Sequence, residues 1–162
     1  EEATEHARQH PPVKKGDPHG LGDLKKDLRK RSEQKDGGVS IEEFEYKVRR
    51  LIGDYVTPPK NAYKLNQALW WMNRFQQEIR EKVHIRHIHD LFKVLEVENI
   101  ILCAKLSATA SLERKESRWG FWHYRSDFPQ KDDENWQKHI MLKKGEAPEE
   151  IRIYHRPVAK IQ

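Results

Sequence analysis

Leu112–Trp136 reads LERKESRWGFWHYRSDFPQKDDENW, and the two patterns that it separates decide the fold. Upstream of it, apolar residues recur at helical spacing; downstream, from Trp136 onward, apolar and polar residues alternate. Within the segment, Gly120, Pro129 and an acidic run over 132–134 indicate irregular structure. We therefore expect a mainly α fold: a small three- to four-helix bundle with a C-terminal two-stranded antiparallel hairpin.

Periodicity upstream of this segment predicts three amphipathic helices, over about 41–56, 61–83 and 88–117. Ser40 and Glu43 have the S-x-x-E spacing of a capping box, which marks a helix start. Pro58-Pro59 ends the first helix, because the residue before a proline disfavours the helical region. Cys103 lies among apolar neighbours in the third helix, so we expect it to be a small buried side chain and not a nucleophile.

The two ends of the chain differ in how many apolar side chains they can bury. The hairpin is predicted over about 136–143 and 151–157. Residues 1–38 hold only four of the 36 Leu, Ile, Val and Phe residues. We therefore expect a poorly packed arm or linker over 1–38, with no more than one short basic helix over 23–35. The helical domain, with the core, is then 39–162.

The charge balance bears on possible partners. There are 31 Lys and Arg against 26 Asp and Glu, giving a net charge of +5 and a pI of about 9.2. A stand-alone basic helical module that binds nucleic acid is the alternative function, suggested by this pI and the basic run at 23–35. The interleaved acids weigh against it, because nucleic-acid binders concentrate positive charge on one stripe. No stretch approaches the ~18 consecutive apolar residues of a membrane helix, so no transmembrane segment is predicted.

Motifs for nucleotide and metal chemistry are absent from the sequence. Neither G-x-G-x-x-G nor G-x-x-x-x-G-K-[ST] occurs, which excludes a self-contained Rossmann enzyme. A single cysteine excludes a disulfide framework and an iron–sulfur cluster held by this chain. His84, His87 and His89 could bind a metal, but His89 points away from the other two on a helix and Arg86 opposes a cation. We expect a polar helix junction there, and predict no catalytic, cofactor-binding or metal-binding residue.

Aromatic residues are concentrated in the opening segment. Six of the 15 in the chain lie between Trp119 and Trp136. If exposed, they would form a patch that another surface covers, and Trp, Tyr and Arg dominate interface hot spots. The alternative is a loop that wraps its own bundle. We favour an interface with another domain or subunit, and its candidate residues are Arg118, Trp119, Trp122, His123, Arg125 and Trp136.

Three motifs carry a resemblance to a known family: Glu116-Ser117-Arg118, Arg125-x-Asp127-Phe128-Pro129 and Asp132-Asp133-Glu134-Asn135-Trp136. Together with the closing Tyr154–Val158, this pattern resembles the C-terminal region of the succinate dehydrogenase/fumarate reductase flavoprotein superfamily, over about residues 40–158. Trp119 directly after Glu-Ser-Arg is similar to the adenylylsulfate reductase alpha subunit, whereas succinate dehydrogenases have Gly-Ala-His there. This departure leaves the substrate open between adenylylsulfate or sulfite and a dicarboxylate.

The resemblance implies a helical C-terminal domain of an FAD-dependent oxidoreductase alpha subunit, which is not catalytic alone. It implies FAD in the full-length protein and no cofactor in this chain. The implied partners are the upstream FAD-binding domain of the same polypeptide and an iron–sulfur electron-transfer subunit. The implied location is cytoplasmic, or the inner face of the membrane where partners hold it there. Because the family's flavin- and substrate-binding residues have no matching positions here, we expect this chain to be the end of a much longer one.

Overall fold

The computed structural model describes residues 38–147 and 150–158, together with Lys26, Arg29 and Lys30. The elements are α1 (Ile41–Tyr55), α2 (Ala62–Glu81), α3 (Ile88–Glu113), a 3-10 turn (Gly120–Trp122), a one-turn helix α4 (Asp133–Trp136) and the strands β1 (Lys138–Lys144) and β2 (Ile151–Pro157). The predicted small helical bundle with a C-terminal hairpin is confirmed. The arm predicted over 1–38 and its basic helix over 23–35 lie outside the described residues, apart from Gly38 and from Lys26, Arg29 and Lys30. These last three residues are helical.

Side-chain caps fix where the long helices begin. Ser40 accepts a hydrogen bond from the amide of Glu43 at 3.2 Å, as its spacing predicts, and Asn61 caps α2 in the same way. His87 caps α3, because its ring Nδ1 accepts from the amide of Asp90 at 3.4 Å. Such caps satisfy amides that have no partner inside the helix. The polar junction predicted at the three histidines is therefore a helix start.

One core is shared by the three long helices. Phe44 of α1 and Phe75 of α2 meet edge to face, with ring centroids 5.6 Å apart. Around this pair lie the fully buried residues Ile41, Val48, Met72, Ile79, Val94, Val97 and Ile101. Burying each such side chain contributes about 1.5–3 kcal/mol relative to leaving it exposed. A smaller cluster of Val56, Leu65, Ala68 and Ala108 closes the end of the bundle where the aromatic-rich segment lies.

Cys103 is exposed, so the prediction that it is buried was wrong. The buried face of α3 runs through Val97, Ile101, Ala104 and Ala108. Cys103 is two residues beyond Ile101, which is about 200° around a helix of 3.6 residues per turn. Neighbours in sequence indicated burial, whereas the helical position of the residue decides its exposure.

Two predicted boundaries are displaced. α3 ends at Glu113 and not near 117, because the next residue, Arg114, is extended with ψ 107°. β1 begins at Lys138 and not at Trp136, because Asp132 caps a short helix that retains Trp136: its carboxylate accepts from the amide of Asn135 at 3.0 Å. Both shifts lie in the segment between the bundle and the hairpin, where neither helical nor alternating periodicity holds.

The hairpin pairs Lys138 with Pro157 at its open end and Lys144 with Ile151 at its turn. An isolated two-stranded ribbon is marginal in water. Here the imidazole Nε2 of His155 lies 3.0 Å from a carboxylate oxygen of Glu113, at the end of α3. The hairpin is therefore attached to the same end of the bundle as the aromatic-rich segment.

Candidate functional site

Glu116 is the buried centre of the segment between α3 and the hairpin, and it is fully inaccessible to solvent. Its Oε1 accepts from Arg114 Nη1 and from Arg118 Nε, each at 2.6 Å. Its Oε2 accepts from Arg118 Nη2 at 3.0 Å and from the amide of Asp132 at 2.8 Å. Burial alone would raise the pKa of Glu116, but these hydrogen bonds outweigh it and hold the pKa below its ordinary value. The carboxylate is therefore charged and joins both arginines to the start of α4.

Arg125 joins the facing ends of α3 and α2. Its guanidinium donates to the carbonyls of Ser111, Leu112 and Arg114, at the end of α3. Its Nε and Nη2 bind both oxygens of Asp127, at 2.8 and 2.7 Å. Asp127 in turn accepts from the amide of Ala62, the first residue of α2, at 2.8 Å. A cation at a helix C-terminus and an anion at a helix N-terminus both complement the helix dipole, so this pair stops α3 and starts α2.

Backbone pairing holds the same segment against the loop before α2. The amide of Lys60 donates to the carbonyl of Tyr124 at 2.9 Å, and the amide of Ser126 donates to the carbonyl of Lys60 at 2.8 Å. The side chain of Lys60 is buried, and its Nζ donates to Ser111 Oγ at 2.9 Å. Burial, with Arg125 nearby, lowers the pKa of Lys60. These contacts join residues more than 50 positions apart in sequence and fix the segment to the bundle.

The turn at Trp119–Trp122, called here the aromatic turn, lies on the outside of this polar framework. Trp119, Phe121 and Trp122 are 71%, 68% and 83% exposed. Trp119 and Gly120 both have a left-handed backbone, with φ of 57° and 59°. That region disfavours a bulky side chain, and such strain clusters at functional positions. Arg118 and His123 pair across the base of the turn, with the Arg118 amide donating to the His123 carbonyl at 2.9 Å.

His123 lies directly under the aromatic turn and is buried. It borders a cleft of about 360 Å³ between α3, the turn and β1, which is also lined by Ser111, Arg114, Trp119 and Met141. Among the described residues, nothing pairs with its Nε2. Burial first, and then Lys60, Arg114 and Arg125, lower the pKa of His123 to about 4. The imidazole is therefore neutral at physiological pH.

The structure divides the six predicted interface residues into two groups. Trp119 and Trp122 are exposed, and Trp136 is half-buried, with its ring 4.7 Å from Lys138 Nζ. The side chains of Arg118, His123 and Arg125 are largely or wholly enclosed by this chain. An interface role stays a prediction for the tryptophans, whereas the polar residues hold the segment together. Sequence reasoning missed Glu116 and Asp127 as members of this framework, although both belong to motifs that carried the family resemblance.

The described residues contain no Rossmann-type cradle for the pyrophosphate of a dinucleotide such as FAD. A pyrophosphate cradle needs a glycine-rich turn between a strand and a helix N-terminus. In the described ranges, both strands follow the long helices and pair only with each other. No group of three or more His, Cys, Asp or Glu residues in those ranges could hold a metal ion. Over the same residues, no helix combines the length and the apolar character that crossing a membrane takes.

Comparison with known proteins gives consistent matches. The family model for the fumarate reductase flavoprotein C-terminus matches residues 45–161. An uncharacterized FAD-dependent oxidoreductase of Methanocaldococcus jannaschii is 33% identical over 107 residues, covering 66% of this chain and 19% of the relative. The succinate dehydrogenase flavoprotein subunit of Rickettsia conorii is 25% identical over 126 residues, covering 75% and 21%. The chain thus spans about a fifth of the length of these curated relatives.

The fold has a counterpart in a solved structure. Adenylylsulfate reductase of Archaeoglobus fulgidus superposes with a TM-score of 0.82 at 20% identity, over 92% of this chain and 26% of that one. At this identity the likeness concerns the fold alone. The family match covers most of the chain and includes the whole Glu116–Trp136 framework. The protein therefore belongs to the fumarate reductase flavoprotein C-terminal family.

Proposed function

We propose that this chain is the helical C-terminal domain of an FAD-dependent oxidoreductase, which packs against the flavin-binding portion of a longer polypeptide and against a partner subunit. The observation that carries this proposal is the aromatic turn. Three large rings are exposed on a loop whose base is fixed by buried ion pairs. Presenting rings on a rigid base costs little ordering entropy on binding, which is how interface anchors gain affinity.

The cofactor and the chemistry belong to the upstream portion in this proposal. The matched relatives include an FAD-dependent oxidoreductase and a flavoprotein subunit, which supports FAD in the full-length protein. The flavin would exchange electrons with an iron–sulfur subunit, and the complex would be cytoplasmic or held at the inner face of the membrane. The reaction concerns adenylylsulfate and sulfite or a dicarboxylate, because relatives named for both chemistries share this fold or sequence. This chain alone is not catalytic.

The proposal also assigns roles to the two parts of the chain. Residues 39–162 form the packing domain, and residues 1–38 serve as an arm or linker. The start of α1 at Ile41, with its N-terminus capped by Ser40, supports a boundary between linker and domain near residue 38. Val39 joins the domain by backbone pairing, with its amide donating to the carbonyl of Lys82 at 2.9 Å.

The matched family and relatives give no support to the nucleic-acid alternative. Part of the positive charge on the described residues is also neutralised within the chain. Lys47, Arg74 and Lys82 converge on one buried carboxylate, Glu78. Burial alone would raise the pKa of Glu78, but these cations lower it to about 2. Cations neutralised in this way contribute little to phosphate binding.

Co-expression tests the proposed function. The full chain is produced alone and together with the upstream flavin-binding portion from the same reading frame. Alone, it should carry no flavin absorbance; together, the two parts should copurify as a yellow complex. Trp119→Ala with Trp122→Ala should weaken association by at least about 30-fold, since a single hot-spot residue contributes about 2 kcal/mol or more. Trp70→Ala is the matched control, because Trp70 is 54% exposed on α2. Stoichiometric FAD on the chain alone, or no copurification, would refute the proposal.

A further inference from the structure

α3 carries a second apolar face that the described part of the chain leaves largely uncovered. Ile88, Phe92 and Leu102 are 58%, 59% and 45% exposed. Leu95 and Leu106, half-buried, continue the line. The positions 88, 92, 95, 99, 102 and 106 follow each other at steps of three or four, which places them on one side of a helix. This second face is a stripe over most of the 26-residue helix, interrupted only at Asn99.

The second face points away from the buried face, about 160° around the helix from it. Leu95 and Leu102 each follow a core residue by one position, Val94 and Ile101 respectively. One residue corresponds to about 100° around the helix. Apolar side chains therefore occupy well over half of the circumference of α3. A surface helix is usually polar on its outer side, so a helix with apolar residues on its outer side as well can bury that side in a larger protein.

We infer that the second face of α3 docks the upstream flavin-binding portion of the same polypeptide, burying α3 between the two parts. This inference rests on the proposed function and adds a second contact area to the aromatic turn. The amount of chain outside this domain favours that occupant, because the matched relatives are about five times longer than the part they share with it.

Continuity with the aromatic turn supports the same occupant. Ser107 and Ala110, which follow Leu106 on α3, line the cleft together with Trp119 and Met141. The second face therefore leads into the surface already proposed for the interface. Asn99 is the one polar residue among the six positions, and none is charged. Depletion of charge is typical of the buried centre of an interface.

Cys103 offers a native probe for the test. It is exposed, and it lies four residues after Asn99 and three before Leu106, beside the second face. In the chain alone its thiol should react freely with Ellman's reagent. In the complex with the flavin-binding portion its reaction should slow by at least about tenfold, because reactivity requires access.

Charged substitutions on the second face test whether this face is buried in the complex. Phe92→Asp and Leu102→Asp should change the Tm of the chain alone by less than about 3 °C, because surface substitutions cost little. Each should weaken association with the flavin-binding portion by at least about 30-fold, as expected for burying an unpaired charge. Tyr46→Asp is the control, since Tyr46 is 67% exposed but borders the groove between α1 and α2. It should associate like the unsubstituted chain.

The outcomes separate this inference from the proposed function. If the unsubstituted chain does not associate with the flavin-binding portion, the proposed function fails. If it associates but both charged variants bind as well and Cys103 stays reactive, only the present inference is overturned. Two further results would overturn the assigned occupant: self-association of the chain that protects Cys103 and is abolished by Phe92→Asp, or protection that requires an iron–sulfur subunit.

Discussion

Replacing Glu116 by glutamine is the most direct test of the buried framework under the aromatic turn. Glutamine has nearly the same shape, so the change removes the charge and one acceptor while creating no cavity. The amide oxygen can still accept from Arg114 and Arg118 at the Oε1 position. At the Oε2 position, a donor NH₂ would face two other donors, Arg118 Nη2 and the amide of Asp132, now at 3.0 and 2.8 Å.

The size of the effect follows from the burial of all three charges. Glu116 is fully buried, and the side chains of Arg114 and Arg118 are only 10% and 14% exposed. Removing one partner of a buried ion pair costs about 3–5 kcal/mol, because the remaining charge is left uncompensated. We expect Glu116→Gln to lower the free energy of unfolding by that amount. For a domain of this size the Tm should fall by about 10–20 °C.

Urea denaturation followed by circular dichroism measures the free energy of unfolding. Glu134→Gln is the matched control, since Glu134 is exposed in the same segment, and it should change stability by less than about 0.5 kcal/mol. Amide hydrogen exchange shows which part of the chain is destabilised. The amides of Ser117, Arg118 and Arg125, all hydrogen-bonded within the segment, should exchange faster in Glu116→Gln. A cost below about 1 kcal/mol, or one equal to the control, would refute the structural role assigned to Glu116.

Acidification provides another prediction. The pKa of His123 falls from 6.5 to about 4 through burial and the neighbouring Lys60, Arg114 and Arg125, so the unfolded chain binds the proton first. Stability is therefore complete above pH 6.5 and decreases as the pH falls from about 6.5 to about 4, by about 3 kcal/mol. Urea titrations at several pH values should detect this loss, and His123→Phe should abolish it. If the free energy of unfolding fell equally steeply with pH in both proteins, the loss could not be assigned to His123. Separately, Cys103 in the folded chain should react with a thiol reagent within about threefold of its rate in urea, and strong protection of the free chain would contradict its exposed position.

The parts of the fold that the sequence predicted are those set by local patterns. Ser40 and Glu43 are three residues apart, and the cap they predict is present. The hairpin follows from alternation over adjacent residues and is paired as expected, with Lys144 opposite Ile151. By contrast, α3 stops at Glu113 because Arg125, 12 residues later, caps its carbonyls. Helical periodicity carries no information about such a contact, so the predicted end was too late.

The sequence predicted which residues form the candidate site, but not which of their side chains point outward and which point inward. The aromatic and arginine-rich segment was identified from residue types alone, and Trp119 and Trp122 are exposed as an interface role requires. Residue types could not show that Arg118 and Arg125 turn inward, because their partners Glu116 and Asp127 are two positions away and the burial of each pair depends on the whole segment folding back. The motifs that carried the family resemblance marked these carboxylates, whereas residue chemistry alone did not.

The orientation of the segment is itself an argument for a covering partner. Soluble proteins usually bury rings and expose charges. Between α3 and the hairpin this order is reversed: Glu116 and Arg125 are almost wholly buried, while Phe121 and Trp122 are mostly exposed. Burying paired charges is costly and gains little stability by itself, so the arrangement is better explained by what it holds in place. It fixes the aromatic turn on one side of α3, next to the second apolar face of that helix, so that both surfaces can be covered by one larger body.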